Sequence, residues 1–254
     1  MKRIHSLFIG LTLMAPILFL QSCLSDDDND DDYLAICPID QPNALVTVKP
    51  NADNTGFIMQ LNDSTTLWPV NLRQSPFGTK EVRALVNYRQ ATPSDIEKGS
   101  ATSGMPCVFV NWIDSILTKP VVEGMYSAEE NLQIYGDDPL EIVDDWTTVA
   151  EDGYLTLRFR TRWGGKAEHR VNLVHRTDVN TPYYFTLYHD AQGDTEGQTG
   201  DALVAFKLAD WMMAPSDQDY ATLTLEWKSY SGTKTAQFKF RQNKGNVSST
   251  SEGH

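Results

Sequence analysis

The period-two alternation of apolar and polar residues limits the fold of this chain more than any other feature. Residues 82–90 place Val82, Ala84, Val86 and Tyr88 on one face and Arg83, Asn87 and Arg89 on the other. Residues 154–160 and 222–228 alternate in the same way, and no long helical stripe appears. Because successive side chains of a strand point to opposite faces, these runs predict half-buried strands and an all-β fold.

The strand-like runs divide into two groups, and a length of 254 residues favours two domains. Residues 44–48, 56–61, 65–70, 81–90 and 107–117 are separated by turn-forming residues. They predict a small closed five-stranded barrel, with a tight hairpin at residues 61–64. The second half has longer strands, with predicted hairpins at residues 163–165 and 231–233, and favours an antiparallel β-sandwich.

The first residues predict export and lipid attachment. Lys2 and Arg3 precede the apolar run of residues 7–20, which is short for a helix that spans a bilayer about 30 Å thick. The sequence Leu20-Gln21-Ser22-Cys23 resembles the bacterial lipobox, although Gln21 departs from the usual small residue. We therefore expect a signal peptide over 1–22 and a lipid anchor on Cys23; the alternative is an ordinary secretion signal with an incidental cysteine.

An acidic segment follows the predicted anchor. Residues 24–32 are mostly aspartate, and a block of like charges favours a disordered tether, assigned here to residues 23–34. Ser25 and the following aspartates also resemble an acidic signal for export to the outer face of the outer membrane. The prediction is therefore an outer-membrane lipoprotein exposed on the cell surface, with a periplasm-facing protein as the alternative.

The remaining boundaries follow from composition and pattern. We predict the barrel over 35–121, a linker over 122–136, the sandwich over 137–243 and a disordered tail over 244–254. The formal net charge is −13, and removal of the two cations Lys2 and Arg3 takes it to −15. Such a chain repels phosphate backbones, so the expected partners are the membrane, through the lipid, and another protein, but not nucleic acid.

Residues suited to chemistry are few, and no catalytic residue, metal site or cofactor is predicted. Cys37 and Cys107 either form a disulfide in an oxidising compartment or remain free thiols. His169 and His175 lie roughly 20 Å apart if both are on one strand, which is too far to share a metal. The adjacent pair Asp144 and Asp145 would point to opposite faces, which suits a wet edge better than acid–base chemistry.

Two further features have a functional and a structural interpretation. The acidic loop over 190–201 suggests calcium, but it lacks the glycine and glutamate that an EF-hand loop needs at its sixth and twelfth places. A solvated hairpin loop is the favoured interpretation. Among the six tryptophans, Trp163 is the candidate for stacking on a sugar, because it stands beside two turn glycines; core packing is the alternative.

Several segments together resemble the NigD-like lipoproteins. For the amino-terminal domain these are LNDSTTLWPV (61–70), VRALVNYRQ (82–90) and VNWIDSILTKPVV (110–122). For the carboxy-terminal domain they are DDPLEIVDDW (137–146), DGYLTLRFRTRWGG (152–165), HRVNLVH (169–175), FTLYHDAQGD (185–194) and ALVAFKLADW (202–211). The resemblance implies an OB-like five-stranded barrel followed by a β-sandwich. Gln21, Cys37 and Cys107 are not features of that pattern.

The resemblance also implies a role, because the family takes its name from a protein assigned to bacteriocin immunity. The leading hypothesis is a non-enzymatic binding module of the cell envelope, with a bacteriocin or its receptor as the partner. The alternative is a glycan-binding or adhesin-like accessory protein of the surface. A hydrolase is the remote alternative, because no nucleophile elbow, phosphate loop or zinc-spaced cysteine pair is present.

Overall fold

The computed structural model describes residues 42–99, 104–124, 127–214 and 218–242. The predicted signal peptide, Cys23, the acidic tether, Cys37 and the predicted tail lie outside these ranges. Within them the regular secondary structure is mostly strand, with two short helices. The all-β prediction is therefore confirmed for the part of the chain that the structure describes.

The amino-terminal strands close into a barrel. They are β1 (Ala44–Pro50), β2 (Phe57–Gln60), β3 (Thr66–Pro69), β4 (Val82–Gln90) and β5 (Cys107–Ser115), and helix α1 (Pro93–Lys98) connects the last two. The hydrogen-bonded order is β1-β2-β3-β5-β4, with β3 and β5 parallel. Val46, Val48, Met59, Ala84 and Val86 are buried inside, because they take alternate positions of their strands.

The carboxy-terminal elements form two stacked sheets. They are β6 (Leu117–Pro120), β7 (Val122–Glu123), α2 (Ala128–Tyr135), β8 (Glu141–Val143), β9 (Val149–Glu151), β10 (Tyr154–Trp163), β11 (Arg170–His175), β12 (Tyr184–Asp190), β13 (Gln198–Lys207), β14 (Tyr220–Ser229) and β15 (Gly232–Arg241). The first sheet has the order β6-β13-β10-β8, with β9 also paired to β10. The second has the order β15-β14-β12-β11-β7. Leu155, Phe159, Phe185, Phe206 and Leu225 fill the core between them.

Two of the three predicted hairpins are present. Residues 61–65 join β2 to β3, and the Asn62 side chain accepts hydrogen bonds from the backbone N–H groups of Ser64 and Thr65. Gly232, at φ +113°, begins β15 directly after the turn from β14. The hairpin predicted at residues 163–165 is wrong, because β10 and β11 belong to different sheets and the chain crosses between them.

The predicted boundary between the domains is also wrong. Residues 117–120 form β6, which pairs with β13 of the sandwich and so lies outside the barrel. Residues 122–136, predicted as a linker, contain β7, which pairs with β11, and α2, which packs on the second sheet. The barrel therefore ends near residue 116, and the segment that follows begins the sandwich.

Arg83 joins the two domains, although the predicted half-buried strand has it on the face opposite the apolar residues. Its side chain is 0% exposed and bonds to Thr47 of the barrel and to Thr156 and Glu151 of the sandwich, at 3.0, 3.3 and 3.0 Å. An apolar cluster adjoins it, formed by Leu45, Leu85, Ile116, Tyr154, Leu203 and Ala205. The outward face of β4 is therefore buried at Arg83 and Leu85, where the sandwich covers it.

No helix in the described ranges has the length and apolarity needed to cross a membrane. The helices α1 and α2 have six and eight residues.

Candidate functional site

Of the three cysteines discussed above, Cys107 lies within the described residues. Cys107 begins β5 as a half-buried side chain whose sulfur lies 3.8 Å from the carbonyl oxygen of Met105, and it bonds to no other cysteine among the described residues. Because Cys37 and Cys23 lie outside the described residues, the disulfide and the lipid anchor both remain predictions.

Trp163 is half-buried and packed against other side chains. Its indole stacks on the imidazole of His169, with 4.2 Å between the ring centroids, and its Nε1 donates to the carbonyl oxygen of Gly200 at 3.0 Å. A Cβ on Gly200 would come within 2.9 Å of the indole, so the backbone of β13 also lies against the ring. These contacts favour a structural role and leave sugar stacking at Trp163 without support.

A buried pair of histidines lies beside this indole. His169 Nδ1 and His189 Nε2 are 3.0 Å apart, and both residues are only 2% exposed. Burial lowers the pKa of His169, and the nearby Asp194 opposes that shift. Burial, and then the neighbouring His169, lowers the pKa of His189 to about 4. The pair arises from the cross-strand register of Val171 with His189, which spacing along the sequence does not reveal.

The acidic loop over 190–201 is not the predicted solvated hairpin, because β12 and β13 belong to different sheets and the loop crosses between them. Asp194 is 1% exposed, and its Oδ2 accepts hydrogen bonds from the backbone N–H groups of Gly164 and Lys166 at 3.0 and 3.1 Å. Asp201 accepts from Arg158 and Arg160. Asp194 therefore joins the two crossover connections, whereas Asp201 pairs β13 with its neighbour β10. No cluster of metal ligands occurs among the described residues.

The concave site with the best claim to function is the groove beneath α2, between this helix and the outer face of the second sheet. Its volume is about 240 Å³. The walls are formed by Ala128, Leu132 and Gly136 from α2 and its carboxyl end, and by Arg176, Tyr188, Glu226 and Lys228 from the sheet side. The alternation that turns Leu187 and Leu225 into the core turns Thr186, Tyr188 and Glu226 outward into this groove.

Local sequence fixes the position of α2. The Ser127 hydroxyl accepts from the backbone N–H of Glu130, and the Glu130 carboxylate accepts from the backbone N–H of Ser127, which forms a capping box. Gly136 ends the helix at φ +85°, where a Cβ would lie 2.7 Å from the carbonyl oxygen of His189. Only glycine allows the helix to end this close to β12, which brings Leu132 to the rim of the groove.

The floor of the groove carries charges of both signs. Arg176 binds Asp178 through two hydrogen bonds of 2.7 Å and lies 3.5 Å from Glu226 Oε1. The hydrogen bond to Asp178, opposed by partial burial, raises the pKa of Arg176. Glu226 also accepts from the Tyr184 hydroxyl at 2.8 Å, and Lys228 pairs with Asp137 at the far end.

This lining suits recognition better than bond cleavage. Most of its charges are held in ion pairs, which fixes their geometry, and Leu132 remains 40% exposed on the rim. A concave surface with an apolar rim and fixed polar groups can hold a protein side chain or a small polar ligand. The groove is not predicted from the sequence, because α2 falls in the predicted linker and its only local signal is the capping pattern Ser127-x-x-Glu130.

Family models match both domains. Residues 45–116 match the NigD-like N-terminal OB domain, and residues 124–240 match the NigD-like C-terminal beta sandwich domain. No curated protein matches the sequence.

Several solved structures are similar to this chain. A protein named as toxin-related, from Parabacteroides distasonis, is 29% identical, with a TM-score of 0.63 and coverage of 79% of this chain and 93% of that one. A protein of unknown function from Bacteroides vulgatus is 18% identical, with a TM-score of 0.58 and coverage of 79% and 90%. A NigD-like immunity protein from Bacteroides caccae is 17% identical, with a TM-score of 0.55 and coverage of 79% and 97%. The last two likenesses show a shared fold.

Proposed function

Because this chain belongs to the NigD-like family, we propose that it is a cell-envelope lipoprotein that acts by binding a partner protein rather than by catalysis. Neither family model describes an enzyme. The observation that carries the proposal is the groove beneath α2, where an exposed leucine overhangs paired charges. Such a combination gives a partner both apolar area and fixed polar contacts.

The place of action follows from the amino-terminal sequence. A lipid on Cys23 would hold the chain at a membrane, and the acidic segment that follows would extend the two domains away from it. Under this proposal Cys23→Ser moves the protein from the membrane fraction to the soluble fraction. Protease treatment of intact cells removes a surface-exposed protein and spares a periplasm-facing one.

Affinity purification from cross-linked cells tests the binding role. We expect a specific partner to be recovered with the wild-type protein and lost with Leu132→Asp, which puts a charge on the rim of the groove. Trp146→Asp is the matched control, since Trp146 is 50% exposed and does not line the groove. Equal recovery from both variants would place the partner elsewhere and refute the role of the groove.

Bacteriocin immunity is the specific form of this role that the family suggests. A solved structure of similar fold is named as a NigD-like immunity protein. We expect deletion of the gene to sensitise cells to a toxin made by related strains. Wild-type protein should restore resistance and the Leu132→Asp variant should not. Unchanged sensitivity across a panel of such toxins would exclude immunity while leaving the binding role to the purification experiment.

A further inference from the structure

A partly exposed cluster of aromatic side chains lies at one end of the sandwich, outside the groove. We call it the Trp211 platform, and it consists of Trp211, Tyr183, His175 and Glu123. The indole of Trp211 lies 4.8 Å from the His175 ring and 5.7 Å from the Tyr183 ring, nearly parallel to the latter. Trp211 is still 41% exposed, so part of the indole faces solvent.

The rings are held in place by specific contacts. Trp211 Nε1 donates to Glu123 Oε1 at 2.8 Å, and the second oxygen of Glu123 lies 3.1 Å from His175 Nδ1. Tyr183 has a positive φ of 60°, which is uncommon for a bulky residue. Its hydroxyl accepts from Gln242 Nε2 at 3.0 Å, and its ring meets the Phe240 ring edge-on. A surface aromatic residue fixed in this way is preorganised, so a ligand would have little side-chain motion to arrest.

The platform is electronegative. Partial burial raises the pKa of Glu123, but the hydrogen bonds from Trp211 and His175 outweigh it and leave the pKa below its usual value. Glu123 is thus ionised at neutral pH, with its side chain 52% exposed. Within the described residues, no lysine or arginine forms an ion pair with it. The face of an indole is also negative, because of its ring quadrupole.

We propose that the Trp211 platform binds a lysine or arginine side chain from a basic peptide segment. The cation would pair with Glu123 while its stem lies along the open part of the indole. The formal net charge of −13 attracts such a segment over a longer range. A neutral sugar could also stack on the indole, but it gains nothing from the charge on Glu123. This site lies apart from the groove and does not require the groove to be occupied.

The test is an NMR titration that follows the Trp211 indole N–H, assigned through its loss in Trp211→Phe. The probes are a blocked hexa-arginine peptide and a neutral oligosaccharide, maltohexaose. We expect hexa-arginine to shift the Trp211 signal to saturation and maltohexaose to leave it unchanged. Glu123→Gln removes the charge but keeps an oxygen that can accept from Trp211, and it should weaken peptide binding about three- to tenfold.

Glu129→Gln is the matched control, because Glu129 is an exposed carboxylate on α2 and its replacement also removes one negative charge. It should weaken binding less than twofold. Equal weakening by the two variants would mean diffuse attraction to an acidic protein and would overturn the proposal. Saturable maltohexaose binding that survives Glu123→Gln would overturn it in favour of a sugar site. Neither result would bear on the groove, which Leu132→Asp tests separately.

Discussion

At the residue scale, the two buried histidines predict sensitivity to mild acid. His189 has an ordinary pKa of 6.5 when unfolded and a pKa of about 4 when folded. Between these values the unfolded chain binds a proton that the folded chain does not, so the free energy of unfolding falls as the pH falls. The loss from His189 is up to about 3 kcal/mol, complete near pH 4, and it vanishes above about pH 6.5. Thermal melting from pH 7.5 to 4 measures it.

Replacement of His189 provides the control for this prediction. His189→Gln should reduce the slope of melting temperature against pH between 6.5 and 4, whatever its effect on stability at neutral pH. Carboxylates such as Asp145 and Asp201, whose pKa values lie below their usual range, lose their stabilising charge only at lower pH. An unchanged slope in the variant would show that the histidine pair is not the source.

Arg83 predicts a large loss of stability on truncation. Arg83→Ala removes three hydrogen bonds and leaves Glu151 without its cation in a mostly buried place. We expect the free energy of unfolding to fall by about 3 kcal/mol in urea titrations followed by tryptophan fluorescence. Arg89→Ala, on the same strand, breaks an exposed pair with Asp95 and should cost much less. Equal effects would contradict the structural role of Arg83.

The alternation in β4 predicts the face that lines the barrel but not the burial of Arg83 on the opposite face. Val82, Ala84 and Val86 line the barrel interior as predicted. Arg83 is buried because the sandwich covers it, and a single strand carries no sign of the domain that will pack on it. The one local indication of this burial is Leu85, an apolar residue on the same face of β4 as Arg83. The contact between His169 and His189 is likewise not predictable from the sequence, because cross-strand register decides which residues meet.

At the scale of elements, the cap of α2 predicts local flexibility on mutation. Ser127→Ala removes the side chain that accepts from the backbone N–H of Glu130, which costs about 1 kcal/mol at a helix start. Hydrogen exchange over residues 128–135 should become faster, while the core strands β10 and β12 stay protected.

The other helix offers a control for that substitution. Thr92 and Asp95 form the same capping box at α1 in the barrel, far from the groove in the fold. Thr92→Ala should speed exchange in α1 and leave α2 unchanged. Faster exchange of α2 in both variants, or in neither, would contradict a local role for the Ser127 cap.

Turns were predictable only where local chemistry decides them. Asn62 and Gly232 mark real hairpins, since a side-chain acceptor and a positive φ are local needs. The sequence Trp163-Gly164-Gly165 also resembles a hairpin turn, but this segment crosses from one sheet of the sandwich to the other. There Gly164 lets its backbone approach Asp194, because a Cβ at this position would lie only 2.1 Å from the carboxylate. The sequence alone does not distinguish a glycine that a distant residue requires from one that its own turn requires.

At the scale of the whole molecule, the buried interface predicts that the two domains unfold together. Arg83, the apolar cluster beside it and the ion pair between Lys49 and Asp152 all cross the boundary. Scanning calorimetry should show one transition, with the calorimetric enthalpy equal to the van't Hoff enthalpy. Two separated transitions in the wild-type protein would mean that the interface is weaker than its burial implies.

The overall architecture is the most predictable property, because the alternation of apolar and polar residues and the number of strands indicate it. A barrel followed by a sandwich is visible in residues 44–117 and 154–241 without any tertiary information. The boundary between the two domains was not predictable, because β6, β7 and α2 are too short to show a pattern. These elements also depend on the sandwich for their partners. The groove beneath α2 was not predicted for the same reason, because α2 lies in the segment predicted as a linker.

A photo-cross-linking amino acid at position 132, in the lipidated protein on living cells, tests the central claim most directly. If the groove beneath α2 binds the partner, position 132 should give a discrete cross-linked product, and the same amino acid at position 146 should give none. The product should also disappear when Glu226→Lys reverses a charge on the groove floor. Identical products at both positions, or one insensitive to Glu226→Lys, would contradict the assignment of this groove as the binding site.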